Sequence, residues 1–211
     1  LGASIALGIP LGVVSALRRN RFVDHAVGLF SVLGLSVPAF WLGIVLILIF
    51  SVELRLLPSA GMVTVGEDSL ADRLAHLAMP SVVLATTILP SVVRFTRSSL
   101  LEVLGQDYVR TAVAKGLAPI VVTYVHALRN ALIPVVSVIG TLLPRLLGGA
   151  VVTEAVFGWP GMGRLALEAA NGRDYPLIMG ITMVVALVAI LTSLVVDLAY
   201  TWLDPRVRLA A

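Results

Sequence analysis

The chain has 211 residues, of which 59% are hydrophobic and 13% charged. Soluble domains carry about 25% charged residues, so this balance argues against a water-soluble enzyme and against disorder, which needs low hydrophobicity and high charge. Fifteen basic against twelve acidic residues is too weak an excess for a nucleic-acid binder. The absence of cysteine excludes disulfides and thiolate metal sites.

The sequence opens Leu1-Gly2-Ala3 inside an apolar run that reaches Leu17, and Arg18, Arg19 and Arg21 follow it. A signal peptide has its basic residues first. This order is expected of a fragment whose N-terminus lies further upstream.

Crossing a bilayer takes about 20 mostly apolar residues. Five stretches meet or approach that length: 1–17, 26–52, 74–93, 130–153 and 175–196. They predict an all-α polytopic membrane protein with five spans. The fourth stretch contains Arg145, and the fifth ends against Asp197. Ionisable groups in or beside spans are functional candidates. Asp197 has a bland alternative, solvation at the span end, whereas Arg145 is a candidate for a translocation path or a subunit interface. His25, His76 and His126 have no metal-site spacing.

Loop charge predicts orientation. Loops 18–25, 94–129 and 197–211 hold ten basic residues, and loops 51–73 and 154–174 hold four. The first set is expected in the cytoplasm, together with the C-terminus. Pro10, Pro38, Pro80, Pro90, Pro134 and Pro144 fall within spans. Each removes a helix hydrogen bond and favours a kink. Gly8 and Gly12 make a GxxxG match, a weak sign of close helix packing.

The 94–129 loop is the informative segment. Residues 107–116 read as a short helix, with Asp107 at its start, Lys115 at its end and Gly116 as the left-handed residue that closes it. Pro119 then suits the first position of a second helix, apolar on one side through Ile120, Val121, Val122, Tyr124, Val125 and Leu128. Helices this short need a surface to pack on. Two of them joined at a glycine predict a compact knob.

On the other side, Gly158-Trp159-Pro160-Gly161-Met162-Gly163 lacks the Lys-Ser/Thr ending and the preceding strand of a phosphate loop. It reads as a tight turn at or re-entering the membrane interface, with Trp159 as an anchor.

The run Tyr108-Val109-Arg110-Thr111-Ala112, then Ala114-Lys115-Gly116-Leu117, then His126-Ala127-Leu128-Arg129-Asn130-Ala131-Leu132-Ile133-Pro134 resembles the permease subunit of bacterial ABC importers. Within these it is similar to the B-type subunit of the dipeptide, oligopeptide and nickel group. Ser36-Val37-Pro38-Ala39-Phe40-Trp41-Leu42-Gly43, Leu57-Pro58-Ser59-Ala60-Gly61, the stretch 154–164, Asp174-Tyr175-Pro176 and the tail 203–208 agree with that subgroup. Of the general importer signature E-A-A-x3-G-x9-I-x-L-P, only Ala112, Gly116 and Leu128 are met, and Arg110 stands in place of the acidic residue.

The resemblance covers nearly the whole chain. It implies a type I importer permease fold, with six helices in the full-length protein, as one transmembrane domain over 1–211 that contains a coupling loop at 94–129. It also implies that Asp107, Tyr108, Arg110, Thr111, Ala112, Lys115, Gly116 and Leu117 dock on an ATP-binding subunit, with Ala112 and Gly116 buried in that contact. The expected partners are two ATP-binding subunits, a second homologous permease and an extracytoplasmic substrate-binding protein. The expected location is the bacterial inner membrane. No cofactor or metal is expected, because ATP is bound by the partners. The expected work is import of peptides or a similar small solute by alternating access, with no catalytic residue in this chain. The cargo itself is not legible.

Two other classes fit the hydropathy. A stand-alone carrier or channel would have no need of a docking knob, and would more often show internal repeats with paired broken helices. An intramembrane enzyme would place paired polar groups at matching depth in two helices, and none stands out.

Overall fold

Pro38 divides the second apolar stretch. Its ring disfavours helical geometry at the preceding residue, and Pro38 itself is extended (φ −62°, ψ 132°). In the computed structural model, which describes residues 1–67 and 69–203 and at 145 and 147–149 the backbone alone, the predicted span 26–52 is therefore two helices. These are α2 (Phe22–Ser36) and α3 (Ala39–Leu46), the latter continuing as a π-helical segment over Ile47–Glu53. The pair is bent by 96°.

The other prolines break nothing. Pro10 lies inside α1 (Gly2–Leu17), Pro80 and Pro90 inside α4 (Leu70–Leu104), and Pro134 and Pro144 inside α7 (Leu128–Gly149). α5 (Asp107–Ala114) and α6 (Pro119–Val121) follow α4, and a π-helical segment over Val122–Ala127 leads into α7. The chain ends with α8 (Val151–Val156), α9 (Met162–Asn171) and α10 (Tyr175–Leu203). No strand occurs among the described residues.

Several boundaries differ from those read in the sequence. α1 covers 2–17 of the expected 1–17 stretch, but others shift. α4 runs on to Leu104, so the first eleven residues of the expected loop are helix. The second loop helix does not stand apart: from Pro119 it runs through the π-helical segment into the fourth span. That span ends at Gly149 rather than 153. Three helical stretches are long and apolar enough to cross a membrane, or four with the bent pair counted as one. In α10 only 6% of the most apolar window is buried, which leaves that helix to lipid or another chain.

The helices form two compact units. One comprises Leu1, Gly34–Ile88 and Leu143–Ala189. Its core is Met79, Val83 and Phe157, covered by Leu42, Leu46, Phe50 and Val156. Gly43 lets α3 approach closely, since a Cβ there would lie 3.1 Å from Val156 and 3.2 Å from Phe157. Asp72 fixes the incoming loop by accepting from the Thr64 amide and hydroxyl, both at 2.7 Å. His76 is buried with its Nδ1 3.0 Å from the Asp72 carbonyl oxygen, a structural role.

The other unit comprises Gly2–Leu33, Leu89–Leu142 and Ile190–Ala211, described to Leu203. Val13, Ala16, Leu100, Val109, Ala112, Val122, Ala127 and Ala131 form its core. Here the GxxxG pair acts within the chain: a Cβ on Gly8 would overlap Val92, and one on Gly12 would overlap Thr96 and the Val93 carbonyl. Gly140 likewise leaves room for Val196, and the Ser137 and Tyr200 hydroxyls are hydrogen-bonded.

Candidate functional site

α5 is held at both ends by local chemistry. Gln106 precedes it in extended geometry (ψ 150°), and the Thr111 hydroxyl donates to the Asp107 carbonyl at 2.9 Å. At the other end Lys115 is the cap and Gly116 takes φ +76°. The Gly116 amide donates to the Val113 carbonyl at 2.9 Å, and the Leu117 amide to the Ala112 carbonyl at 3.4 Å. That pair of bonds is the Schellman closure, which satisfies the last carbonyls and turns the chain sharply. Nothing lies within 4 Å of a Cβ built on Gly116, so its backbone angle, not crowding, calls for glycine. Pro119 then opens α6.

One face of α5 is anchored and the other is free. Val109 and Ala112, three residues apart, are buried against Val13, Ala16 and Leu100. Tyr108 is half-exposed, and its hydroxyl accepts from the Asn130 amide nitrogen at 2.8 Å. Asp107, Arg110, Thr111, Lys115, Gly116 and Leu117 are exposed. Arg110 lies 3.6 Å from Asp107, a solvent-exposed pair of little energetic weight. Val113 is 60% exposed and Ile120 67% exposed, so apolar groups stand in this polar surface.

Of the eight candidates, the structure thus presents seven outward and buries Ala112 in the chain's own core. Small size at position 112 serves packing of α5 on its unit. Val113, not singled out in the sequence, is the exposed apolar group beside it. The side chain of Arg145 lies outside the described residues. Asp197 is exposed in α10, two turns before its described end.

Sequence reasoning missed the polar cluster that braces this unit. The Asp24 carboxylate accepts from Arg97 Nε at 2.6 Å and Nη2 at 2.8 Å, from the Ser15 hydroxyl at 2.6 Å and from the Asn20 amide at 2.9 Å. Asp24 is buried, and every one of these donors helps satisfy a carboxylate that burial alone would penalise. Arg129 does similar service at the end of α10, donating to the Trp202 and Leu203 carbonyls at 2.8 and 2.9 Å. The available signal for the first cluster was Asp24 as the lone acid among Arg18, Arg19 and Arg21.

In the other unit, the glycine-rich turn is tied down by Glu154. Its carbonyl accepts from the Trp159 amide at 2.8 Å, and its carboxylate from the Arg164 amide at 2.7 Å. A Cβ on Gly161 would overlap that carboxylate. The start of α9 is therefore satisfied by the chain's own acid, which suits a tight turn and not a phosphate loop.

Comparison with known proteins places this architecture. The family described as binding-protein-dependent transport system inner membrane component matches residues 8–209. The chain belongs to that family. It is a membrane component, as its apolar helices require.

It is 45% identical to a putative peptide permease protein of Brucella suis biovar 1 over 209 residues, covering 99% of this chain and 66% of the relative. It is 46% identical to the dipeptide transport system permease protein DppB of Escherichia coli K12, covering 96% of this chain and 66% of that protein. It is 42% identical to the oligopeptide transport system permease protein AppB of Bacillus subtilis 168, covering 97% and 65%. The chain thus spans about two thirds of the length of these relatives. A chain of the MetNI methionine ABC transporter, solved in inward-facing conformations, shares the fold with a TM-score of 0.66 at 20% identity, covering 93% of this chain and 87% of that one. The type I importer permease fold expected from the sequence is the fold observed.

Proposed function

We propose that the chain is the permease subunit of an ATP-driven importer that carries peptides, or a small solute of similar chemistry, across the bacterial inner membrane. The observation that carries this reading is the exposed face of α5. Arg110, Thr111 and Val113 project from a helix whose opposite face is locked to the core by Val109 and Ala112, and Lys115 and Leu117 are exposed in the turn that closes it. A rigid projection with exposed apolar groups suits docking of an ATP-binding subunit, because force on the helix reaches the packed unit directly. ATP hydrolysis then belongs to two partner subunits, and alternating access to this chain with a second, homologous permease. An extracytoplasmic binding protein delivers the cargo. Basic-loop asymmetry supports a cytoplasmic side for α5 and the C-terminus. The names of the relatives support the peptide class.

The test uses the absence of cysteine from the 211 residues. Thr111→Cys in the full-length protein, treated in native membranes with a bifunctional reagent that captures a nearby lysine or thiol, is expected to cross-link to an ATP-binding protein. Cross-linking to lipid alone, with no ATP-binding protein attached, contradicts the reading.

A further inference from the structure

The turn between α1 and α2 carries Arg18, Arg19 and Arg21, all exposed. Its backbone is closed by its own hydrogen bonds. The Arg18 amide donates to the Val14 carbonyl at 3.0 Å, the Arg21 amide to the Arg18 carbonyl at 3.0 Å and the His25 amide to the Arg21 carbonyl at 3.1 Å. Asn20 takes the left-handed angle φ +60°, which asparagine accepts more readily than most residues. Its amide is fixed on the Asp24 carboxylate at 2.9 Å.

Asp24 is the first acid in the sequence, and the next is Glu53. It does not neutralise the turn, because it is buried and its charge is taken up by Arg97 of α4. Among the described residues no carboxylate pairs with Arg18, Arg19 or Arg21. The fold therefore leaves three uncompensated guanidiniums on one rigid turn. Leu17, at the end of α1, and Phe22, 85% exposed at the start of α2, flank them. A basic turn is costly in hydrocarbon, and bare apolar groups beside it are disfavoured in water. In a membrane component, a corner of that composition between two apolar helices belongs at the headgroup layer. Guanidiniums pair with phosphate, and an anionic lipid surface attracts each basic residue near it.

We infer that the Arg18–Arg19–Arg21 turn is a docking site for anionic phospholipid, with the arginines on the phosphate and Leu17 and Phe22 against the upper acyl chain. Three basic residues are too few to draw a soluble protein to a membrane. Here the helices already hold the corner in place, and the charges select which lipid adjoins it. The role is distinct from orientation, which loop charge of any arrangement favours. It needs the membrane location that the family gives and is independent of the cargo.

The experiment places an apolar fluorophore on Phe22→Cys in the full-length protein, with its co-purifying subunits and no other reactive cysteine. The protein is reconstituted in vesicles of equal parts phosphatidylcholine and phosphatidylglycerol, with the acyl chains of one lipid or the other brominated to quench the dye. Phosphatidylglycerol is expected beside the dye roughly fivefold more often than phosphatidylcholine, the scale of one basic residue at an anionic surface. Arg18→Gln/Arg19→Gln/Arg21→Gln is expected to abolish that preference. Arg18→Lys/Arg19→Lys/Arg21→Lys is expected to keep most of it, because an ammonium also binds phosphate as a point charge. Equal quenching by the two lipids in the parent protein overturns the inference, and this comparison decides the matter even if the glutamine variant does not assemble. A preference that the glutamine variant retains also overturns it, because its source then lies elsewhere. A dye that neither lipid quenches until the co-purifying subunits are stripped overturns it in favour of a protein contact at the turn.

Discussion

Asp24 and Arg97 lie 73 residues apart in sequence and meet in a two-point ion pair, with bonds of 2.6 and 2.8 Å. Asp24 sits in the first turn of α2 and Arg97 in the last third of α4. Ser15, from α1, donates to the same carboxylate, so one acid ties three helices of a single unit.

Breaking this pair from one side leaves a charge without its partner. Asp24→Asn is expected to destabilise the protein by about 2–3 kcal/mol, at or below the range for buried pairs because Arg97 is a third exposed. The check is the apparent Tm of the detergent-purified protein. The double variant Asp24→Leu/Arg97→Leu is expected to recover part of the loss, since no charge is then left unpaired. An unchanged Tm for Asp24→Asn would contradict the bracing role.

Two glycines are required for different reasons, and alanine separates them. Gly116→Ala meets no atom within 4 Å and faces only the cost of φ +76°, about 1–2 kcal/mol. Gly12→Ala puts its Cβ 2.6 Å from the Thr96 Cβ and 2.8 Å from the Val93 carbonyl oxygen, so α1 has to move off α4. Gly12→Ala is expected to lower Tm more than Gly116→Ala does. Gly116→Asn is expected to be better tolerated than Gly116→Ala, because asparagine accepts the left-handed region more readily. The reverse order of the two alanine variants would contradict the packing described for α1.

Arg129 closes the end of α10 by bonding the Trp202 and Leu203 carbonyls. A cation at a helix C-terminus also opposes the helix dipole. Arg129→Gln is expected to speed amide hydrogen exchange in residues 199–203 while leaving exchange in α5 unchanged. Equal exchange in both proteins at 199–203 would show that the end of α10 is held by other means.

Positions 112 and 113 are neighbours with opposite duties. Ala112→Trp is expected to lower Tm, because the indole has no room among Val13, Ala16 and Leu100. Val113→Asp is expected to leave Tm nearly unchanged and to weaken recovery of the ATP-binding subunits on purification. Were Ala112→Trp to fold normally and only lose its partners, residue 112 would belong to the docking face after all.

Much of this was legible in the sequence where local chemistry decides structure. Asp107, Lys115, Gly116 and Pro119 each carry a conformational preference that acts within a few residues, and α5, its closure and the start of α6 follow them. Helical character was equally plain from the apolar stretches. What escaped was decided at a distance. Ala112 and Val113 cannot be told apart as inner and outer until α5 is packed on α1 and α4. Asp24 reads as one more loop charge until the fold brings Arg97 to it. The extension of α4 through Arg94, Arg97 and Glu102 runs against polarity, because polar residues at a helix end look in sequence like the start of a loop. Pro38 and Pro90 show the remaining limit: both interrupt apolar stretches, yet the chain breaks at the first and remains helical at the second.

The most direct test of the central claim is purification of the full-length protein from its own membrane in mild detergent, with co-purifying proteins identified by mass spectrometry. The account predicts recovery of an ATP-binding subunit together with a second permease. A protein that purifies alone and still moves solute without ATP would contradict it and point to a stand-alone carrier or channel.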